Sequence, residues 1–343
     1  MKKVLITGNR GYIGSVLVPM MLQEGYNVVG LDTNYYYNCV ATSEVLPPVQ
    51  IKKDIRNISK EDLQNIESII HLAALSNDPL GELNPDLTQS INYDSTIRLA
   101  TLARECGISR FIFASTQSIY GISNRETELK ESDHIQPITE YAKSKWLAEK
   151  ELKKMASEKF TVVMLRPSTV YGPSPKLRCD ILLNNLLGYA YTSNKIVVKS
   201  DDNPWRPVIH INDTCKAFIS CVRAPKILIN SEAFNVGIKG GNYSVTELAK
   251  KIAAQARIQS IQFTNEHKDS RSYSVCFEKI LNQLDEYYKP EENINDGIDE
   301  MFRFYRRIGL VDSDFEGLKY IRIKQLKHLN NKNKLDDKMH WLN

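Results

Sequence analysis

The first half of the chain alternates short, β-branched apolar runs with longer helical patterns, and this rhythm restricts the fold more than any other feature. The runs are Lys3–Thr7, Asn27–Leu31, Val49–Lys53, Ser68–Ala74, Arg110–Ser115 and Thr161–Arg166. They are short and do not alternate with polar residues, the pattern of strands buried on both faces. Helical patterns occupy Ile13–Gln23, Ser59–Asn65, Asp86–Glu105 and Thr139–Glu158. Strand–helix alternation of this kind predicts an α/β fold, a doubly wound parallel sheet with right-handed crossovers.

After Tyr171 the rhythm changes. Pro and Gly punctuate "YGPSPKLRCD". Helices are expected at Ile181–Tyr191, Asn212–Arg223 and Ser244–Ala256, with a strand at Ile196–Lys199. These pieces predict a smaller lobe at the carboxyl edge of the sheet, and "AFNVG" (Ala233–Gly237) reads as a strand returning to the large one. The domain reading is a dinucleotide-binding domain over 1–172, to which segments such as 207–237 return. A lobe over 173–284 would bind substrate, and a peripheral extension would follow over 285–343. The charged tail from about Leu310 is expected to be a surface helix that frays.

Composition excludes several classes. A net charge of +4 on 343 residues, not blocked before the tail, gives no reason to expect nucleic acid or a membrane as partner. No apolar run approaches the ~20 residues needed to span a bilayer. Six cysteines without a CxxC and six histidines without ligand spacing argue against a metal site. Scattered free thiols suit a cytoplasmic protein.

"ITGNRGYIG" follows the first strand and opens the first helix. Gly8, Gly11 and Gly14 let backbone N–H groups approach a pyrophosphate at a helix N-terminus, with Arg10, Tyr12 and Ile13 in the same loop. Asp32 follows 18 residues after Gly14, where a carboxylate accepts bonds from ribose hydroxyls and repels a 2′-phosphate. Thr33, not a basic residue, comes next, so NAD is favoured over NADP; Arg10 is the one nearby cation that would favour a 2′-phosphate. Asp54 and Ile55, after the third strand, are placed for the adenine, although a capping turn explains Asp54 equally well. The run Tyr35–Tyr36–Tyr37 covers either the adenosine or a subunit surface.

"YAKSK" puts Tyr141 and Lys145 on one helical face, four residues apart. A phenol with a pKa of about 10 is a poor base alone. Lowering it by three units takes about 4 kcal/mol, which a neighbouring ammonium and a cationic ring in a partly dry cleft can supply.

Taken together, "TGNRGYIG", "HLAA", "STQSIYG", "YAKSK", "RPSTVYGP" and "WRPVIHIND" resemble the extended short-chain dehydrogenase/reductases, in particular the nucleotide-sugar epimerase/dehydratase family. The resemblance covers Met1 to Leu284. It implies that Thr116, Tyr141 and Lys145 are catalytic, with Tyr141 as the acid/base and Lys145 also on the nicotinamide ribose. Leu72, Ala73 and Ala74 would line the cofactor. Arg206 and Arg271 would clamp a substrate diphosphate. Trp205, Asn184 and Asn185 would share that groove, with Ser76, Asn77 and Asp78 near the sugar. Thr169 stands where the family commonly has Asn. The 4,6-dehydratases carry Asp and Glu after the catalytic Thr, whereas this chain has Gln117 and Ser118 beside the sugar. The resemblance therefore implies a nucleotide-sugar epimerase working through a C4 ketone. The alternatives are a C4 dehydrogenase or ketoreductase that releases its product, and a non-catalytic nucleotide-sugar or dinucleotide-binding protein. The helices Asp86–Glu105 and Thr139–Glu158 match the pair that forms a homodimer interface in the family.

Overall fold

The computed structural model describes residues 2–76, 84–123, 127–199, 203–264 and 271–342. Seven strands form the central sheet: β1 Lys3–Thr7, β2 Asn27–Asp32, β3 Val49–Lys52, β4 Ser68–His71, β5 Arg110–Ala114, β6 Thr161–Pro167 and β7 Glu232–Val236. All neighbours pair in parallel, in the order β7-β6-β5-β4-β1-β2-β3. The chain reverses its direction of travel across the sheet between β1 and β4, and a crevice opens outside the carboxyl ends of such strands. The strand expected at Ala233–Gly237 does return to this sheet, as β7.

The eight longer helices are α1 Gly14–Gln23, α2 Ser95–Glu105, α3 Glu140–Met155, α4 Leu182–Ser193, α5 Ile211–Arg223, α6 Val245–Ala256, α7 Ile294–Ile308 and α8 Arg322–Asn331. One core layer packs α2 and α3 on the sheet through Leu99, Ala103, Ala148 and Leu152. The opposite face is covered by α1 and α5 through Leu17, Val18, Phe218 and Val222. A third cluster joins α4, α6 and α7 in a smaller lobe.

Two expectations need correction. The helix expected at Ser59–Asn65 is a single 3₁₀ turn, Glu61–Leu63. Asp62 accepts bonds from the Ser59 N–H and hydroxyl and pairs with Lys53, so local side-chain bonds take the place of a helical ladder. The pattern over Asp86–Glu105 is helical but contains a π turn at Ser90–Asp94. There Asn92 bonds both backbone groups of Leu75 and the Ser144 hydroxyl, tying β4's end to α3.

The tail does not fray. Leu326, Leu329, Leu335 and Met339 are buried in the same core cluster as the inward residues of α2 and α3. Trp341 donates its indole N–H to the Thr33 carbonyl at 2.7 Å, and Tyr35 donates to the Met339 carbonyl. The tyrosine run after Asp32 is thus the bed on which the tail lies. Leu329→Ala should cost about 2–4 kcal/mol in urea unfolding, the usual range for a truncated core leucine. A frayed tail would give no change.

Candidate active site

The glycine loop lies at the crevice between β1 and β4. Gly8 has a positive φ of 71°, and a Cβ there would stand 2.8 Å from the Ala73 nitrogen. A Cβ on Gly14 would stand 2.3 Å from the Gly8 carbonyl oxygen. No side chain fits at either position, so α1 starts directly beneath the loop; its Ser15 and Leu17 N–H groups bond back to the Gly11 and Ile13 carbonyls, and its positive dipole end faces the loop. The Asp32 carboxylate accepts from the backbone N–H of Arg10 at 3.1 Å and of Asn34 at 2.6 Å. Burial raises its pKa, and those two N–H groups oppose the rise.

These groups open into one cavity of about 820 Å³. At its cofactor end stand Gly8, Gly11, Tyr12, Ile13, Gly14 and Asp32. Asp54, Ile55, Leu72, Ala73 and Ala74 complete that end. The cradle that only glycine can form, with a carboxylate at the end of β2, fits a dinucleotide. Arg10 does not aim at a ribose phosphate. Its guanidinium pairs with Glu44 at 2.9 Å, and its side chain is not part of the cavity wall. Asp54 lines the cavity but is largely committed to Arg56, which donates to it from the backbone, Nε and Nη2. Against burial, which would raise it, Arg56 holds this carboxyl below the usual range.

At the other end the wall includes Thr116, Ser118, Tyr141, Lys145, Thr169 and Arg206. Thr116 follows β5 and accepts from the Ser118 N–H at 3.1 Å, which leaves its own hydroxyl proton available to a ligand. Thr139 caps α3, and the face Tyr141–Lys145–Ala148–Leu152 turns inward. Lys145 is 2% exposed, donates to the Ala114 carbonyl at 2.7 Å and sits 4.6 Å from the centre of the Phe113 ring. Burial pushes its ammonium down to about 7, with Glu149 opposing. Lys145 therefore holds its proton more loosely than a free lysine, and an anion beside it would favour the charged form.

Arg206 is buried, lies over the Tyr273 ring at 5.4 Å and donates to the Trp205 carbonyl at 2.8 Å. Arg271 donates to the Ser118 hydroxyl at 3.2 Å. Ser76 and Asn185 also line the cavity. Three expected contacts do not. The Gln117 amide turns into the core and donates to the carbonyls of Arg166 and Val236. Asn184 is fully buried between Tyr12, Arg178 and Gly172. The Trp205 side chain lies outside the wall, of which Pro204 and Arg206 on either side are part. Asn77 and Asp78 lie outside the described residues.

Several wall residues escaped the sequence reading, Arg178, Asp180 and Arg322 among them. Arg178 forms a fork with Asp180 at 2.9 and 3.0 Å and donates to Ser76 at 3.0 Å. An Arg-x-Asp pair just after the Pro-rich segment was the available signal. Arg322, from α8, carries no local signal at all. Apart from the cavity, His210, Glu292 and Glu300 converge, with the imidazole 3.0 Å from Glu300. No helix among the described residues is long and apolar enough to cross a membrane.

Residues 4–237 match the profile of the NAD-dependent epimerase/dehydratase family. The chain belongs to that family. NAD is its cofactor, and the glycine cradle with Asp32 is where this chain can hold it. A mouse protein described as dTDP-D-glucose 4,6-dehydratase is 26% identical over 89% of this chain and 89% of its own. A putative UDP-glucose 4-epimerase of Methanocaldococcus jannaschii is 25% identical over 86% of this chain and 95% of its own. Among solved structures, MoeE5 in complex with UDP-glucuronic acid and NAD superposes with a TM-score of 0.77 at 25% identity, covering 89% of this chain and 99% of that one. The UDP-glucuronic acid 4-epimerase of Bacillus cereus shares the fold at a TM-score of 0.75 and 22% identity, over 89% of this chain and 99% of that one.

The buried ammonium makes stability depend on pH. Unfolded, Lys145 holds its proton up to about 10.4; folded, it releases it near 7. Between those values the unfolded chain binds more protons, so this residue's contribution to stability rises with pH, and its full cost is present below pH 7. Lys145→Met removes the cost. In cofactor-free protein, the Tm of the variant relative to wild type should be highest near pH 6.5 and fall by roughly 2 °C or more toward pH 10. A difference independent of pH would contradict the buried-ammonium assignment.

Proposed function

We propose that the protein is a nucleotide-sugar epimerase that oxidises its substrate at C4 and reduces the ketone again from the opposite side. One observation carries the choice of reaction: no carboxylate follows Thr116. Elimination of water across C5 and C6 needs an acid and a base beside the sugar. Gln117, at the first of those positions, is not ionisable and faces away from the cavity. Ser118, at the second, is a hydroxyl that accepts from Arg271. The acidic side chains of the described cavity wall are Asp32, Asp54 and Asp180, and each is bonded at the cofactor end or to Arg178.

The remaining groups suit hydroxyl oxidation. Thr116 would donate to the C4 oxygen and hold it toward Tyr141. The Tyr141 phenolate would take the hydroxyl proton as the carbinol hydride leaves. NAD, held by the glycine cradle and Asp32, would supply the hydride acceptor and donor. Lys145, recharged when anionic ligands fill the cavity, would stabilise the phenolate and later the re-protonation of the new hydroxyl. Arg206 and Arg271 would hold the nucleoside diphosphate while the keto-sugar turns over, since a guanidinium fork matches phosphate oxygens. UDP-glucuronic acid and UDP-glucose, named for solved relatives, define the substrate class to screen first. The same α2 and α3 helices are proposed to build a homodimer.

Tyr141→Phe should keep the fold and NADH binding but lose turnover by ~100-fold or more, the scale of general acid–base catalysis. Turnover close to wild type would remove Tyr141 from the mechanism. Continuous release of NADH with substrate would convert the reading to a net dehydrogenase, and a 4-keto-6-deoxy product would overturn the argument from Gln117 and Ser118.

A further inference from the structure

The tail places a charged side chain where the family profile, which ends at residue 237, assigns nothing. Arg322 opens α8, is 2% exposed and forms part of the cavity wall. Its Nη2 donates to the Lys176 carbonyl at 2.7 Å. Its Nη1 is buried and makes no hydrogen bond. The guanidinium carbon lies over the Tyr36 ring, 4.2 Å from its centre. Burial works against its charge.

Its cationic neighbours have carboxylate partners of their own: Arg178 is matched by the two oxygens of Asp180, and Lys176, at 3.2 Å, shares Glu44 with Arg10. Among the described residues, no carboxylate is in ion-pair contact with Arg322. A buried guanidinium with an open N–H and no counter-ion is costly unless an anion completes it. The cavity tells which anion. Arg206 and Arg271 stand at the Ser118 end, where the sugar nucleotide is proposed to lie. Arg322 stands at the glycine-loop end: it donates to the Lys176 carbonyl, the Lys176 N–H donates to the Ser174 hydroxyl at 3.1 Å, and that hydroxyl donates to the carbonyl of Tyr12 in the loop at 2.8 Å. That end already offers the glycine cradle and the N-terminal end of α1 to a diphosphate.

We propose that Arg322, delivered by the C-terminal strap, is a direct ligand of the cofactor's diphosphate, and that the strap is a structural wall of the NAD cleft. The proposal rests on the dinucleotide occupying the glycine-loop end. The strap is well held for such a task. Trp341 is bonded to Thr33 and Gln325 to the Tyr35 carbonyl at 3.3 Å, so both ends of the loop after Asp32 are clamped by the tail. Lys52 adds an ammonium 5.6 Å from the centre of the Trp341 ring.

The test compares ligands that carry the cofactor's diphosphate with adenosine, which lacks a diphosphate, and with UDP, whose diphosphate is directed to the Arg206 and Arg271 end. NADH, ADP-ribose, adenosine and UDP are titrated into wild type, Arg322→Gln and Arg322→Lys, with the Tm of each variant recorded. The expected result is a loss of about tenfold or more for NADH and ADP-ribose in Arg322→Gln, since a charge-assisted bond is removed. Adenosine and UDP should change by less than about twofold, and Arg322→Lys, which keeps the charge on a shorter reach, should fall between. Should Arg322→Gln fail to fold, Arg322→Lys carries the test through the same ratio of ADP-ribose to adenosine affinity. Unchanged NADH and ADP-ribose affinity, an equal loss for adenosine, or a loss confined to UDP would each overturn the proposal. Failure of wild type to bind NADH or ADP-ribose at all would instead remove the dinucleotide reading on which it stands.

Discussion

A hydrogen bond between α3 and the end of β5 joins the two segments on which the chemistry depends. The Lys145 amine, on α3, is held by the Ala114 carbonyl at the last residue of β5. The next two residues along the chain are Ser115 and Thr116, and one helical turn before Lys145 is Tyr141. One bond therefore fixes the helix against the strand end at the point where the hydroxyl, the phenol and the amine must share a cavity. The surroundings keep it in place. Arg166, on β6, grips Glu149 one turn further along α3 through three contacts of 2.7 to 3.2 Å, and both side chains are almost fully buried. Removing either partner of such a pair leaves an uncompensated charge, so the pair locks the registry of helix on sheet. The cost of the arrangement is a lysine whose proton is loosely held, and a charge that loosely held responds to what enters the cavity.

The cofactor end is built by exclusion. Gly8 and Gly14 sit where any side chain would collide with backbone, and this lets α1 begin under the β1–β4 crevice. His71 at the end of β4 bridges Thr7 on β1 at 2.6 Å and Thr96 on α2 at 2.8 Å. Burial holds its pKa down to about 3, so it remains neutral and serves as a fixed strut. Fold and cleft are thus set by a few short-range contacts between consecutive βα units, and the lobe of α4, α6 and α7 then closes the far side with Thr169, Asn185 and Arg206.

The strands were legible because parallel strands buried on both faces leave a continuous apolar run, and six such runs preceded a seventh that returned after the lobe. The glycine loop and the Tyr141–Lys145 pair were legible because backbone sterics and helical spacing act over a few residues. Orientation was not. Gln117 and Asn184 have side chains that satisfy buried backbone groups as well as they bind sugars, and only the packing of Arg166 and Val236, or of Gly172 and Arg178, decides between the two. The tail misled for a different reason. Its apolar residues, Leu326, Leu329, Leu335 and Met339, are diluted among Lys, Asn and Asp, and their partners, such as Tyr35, lie about 300 residues earlier in the chain. Local composition reports a solvated helix, and the long-range contact that buries it leaves no mark nearby.

The central claim is that one hydride leaves C4 and comes back to it. It is tested most directly by incubating the purified enzyme with a nucleoside-diphosphate sugar deuterated at C4, in ordinary water, and measuring the label in the epimerised product. The account predicts that the product keeps its deuterium at C4, because the hydride is stored on the bound cofactor and never exchanges with solvent. Epimerised product without the label at C4 would contradict it.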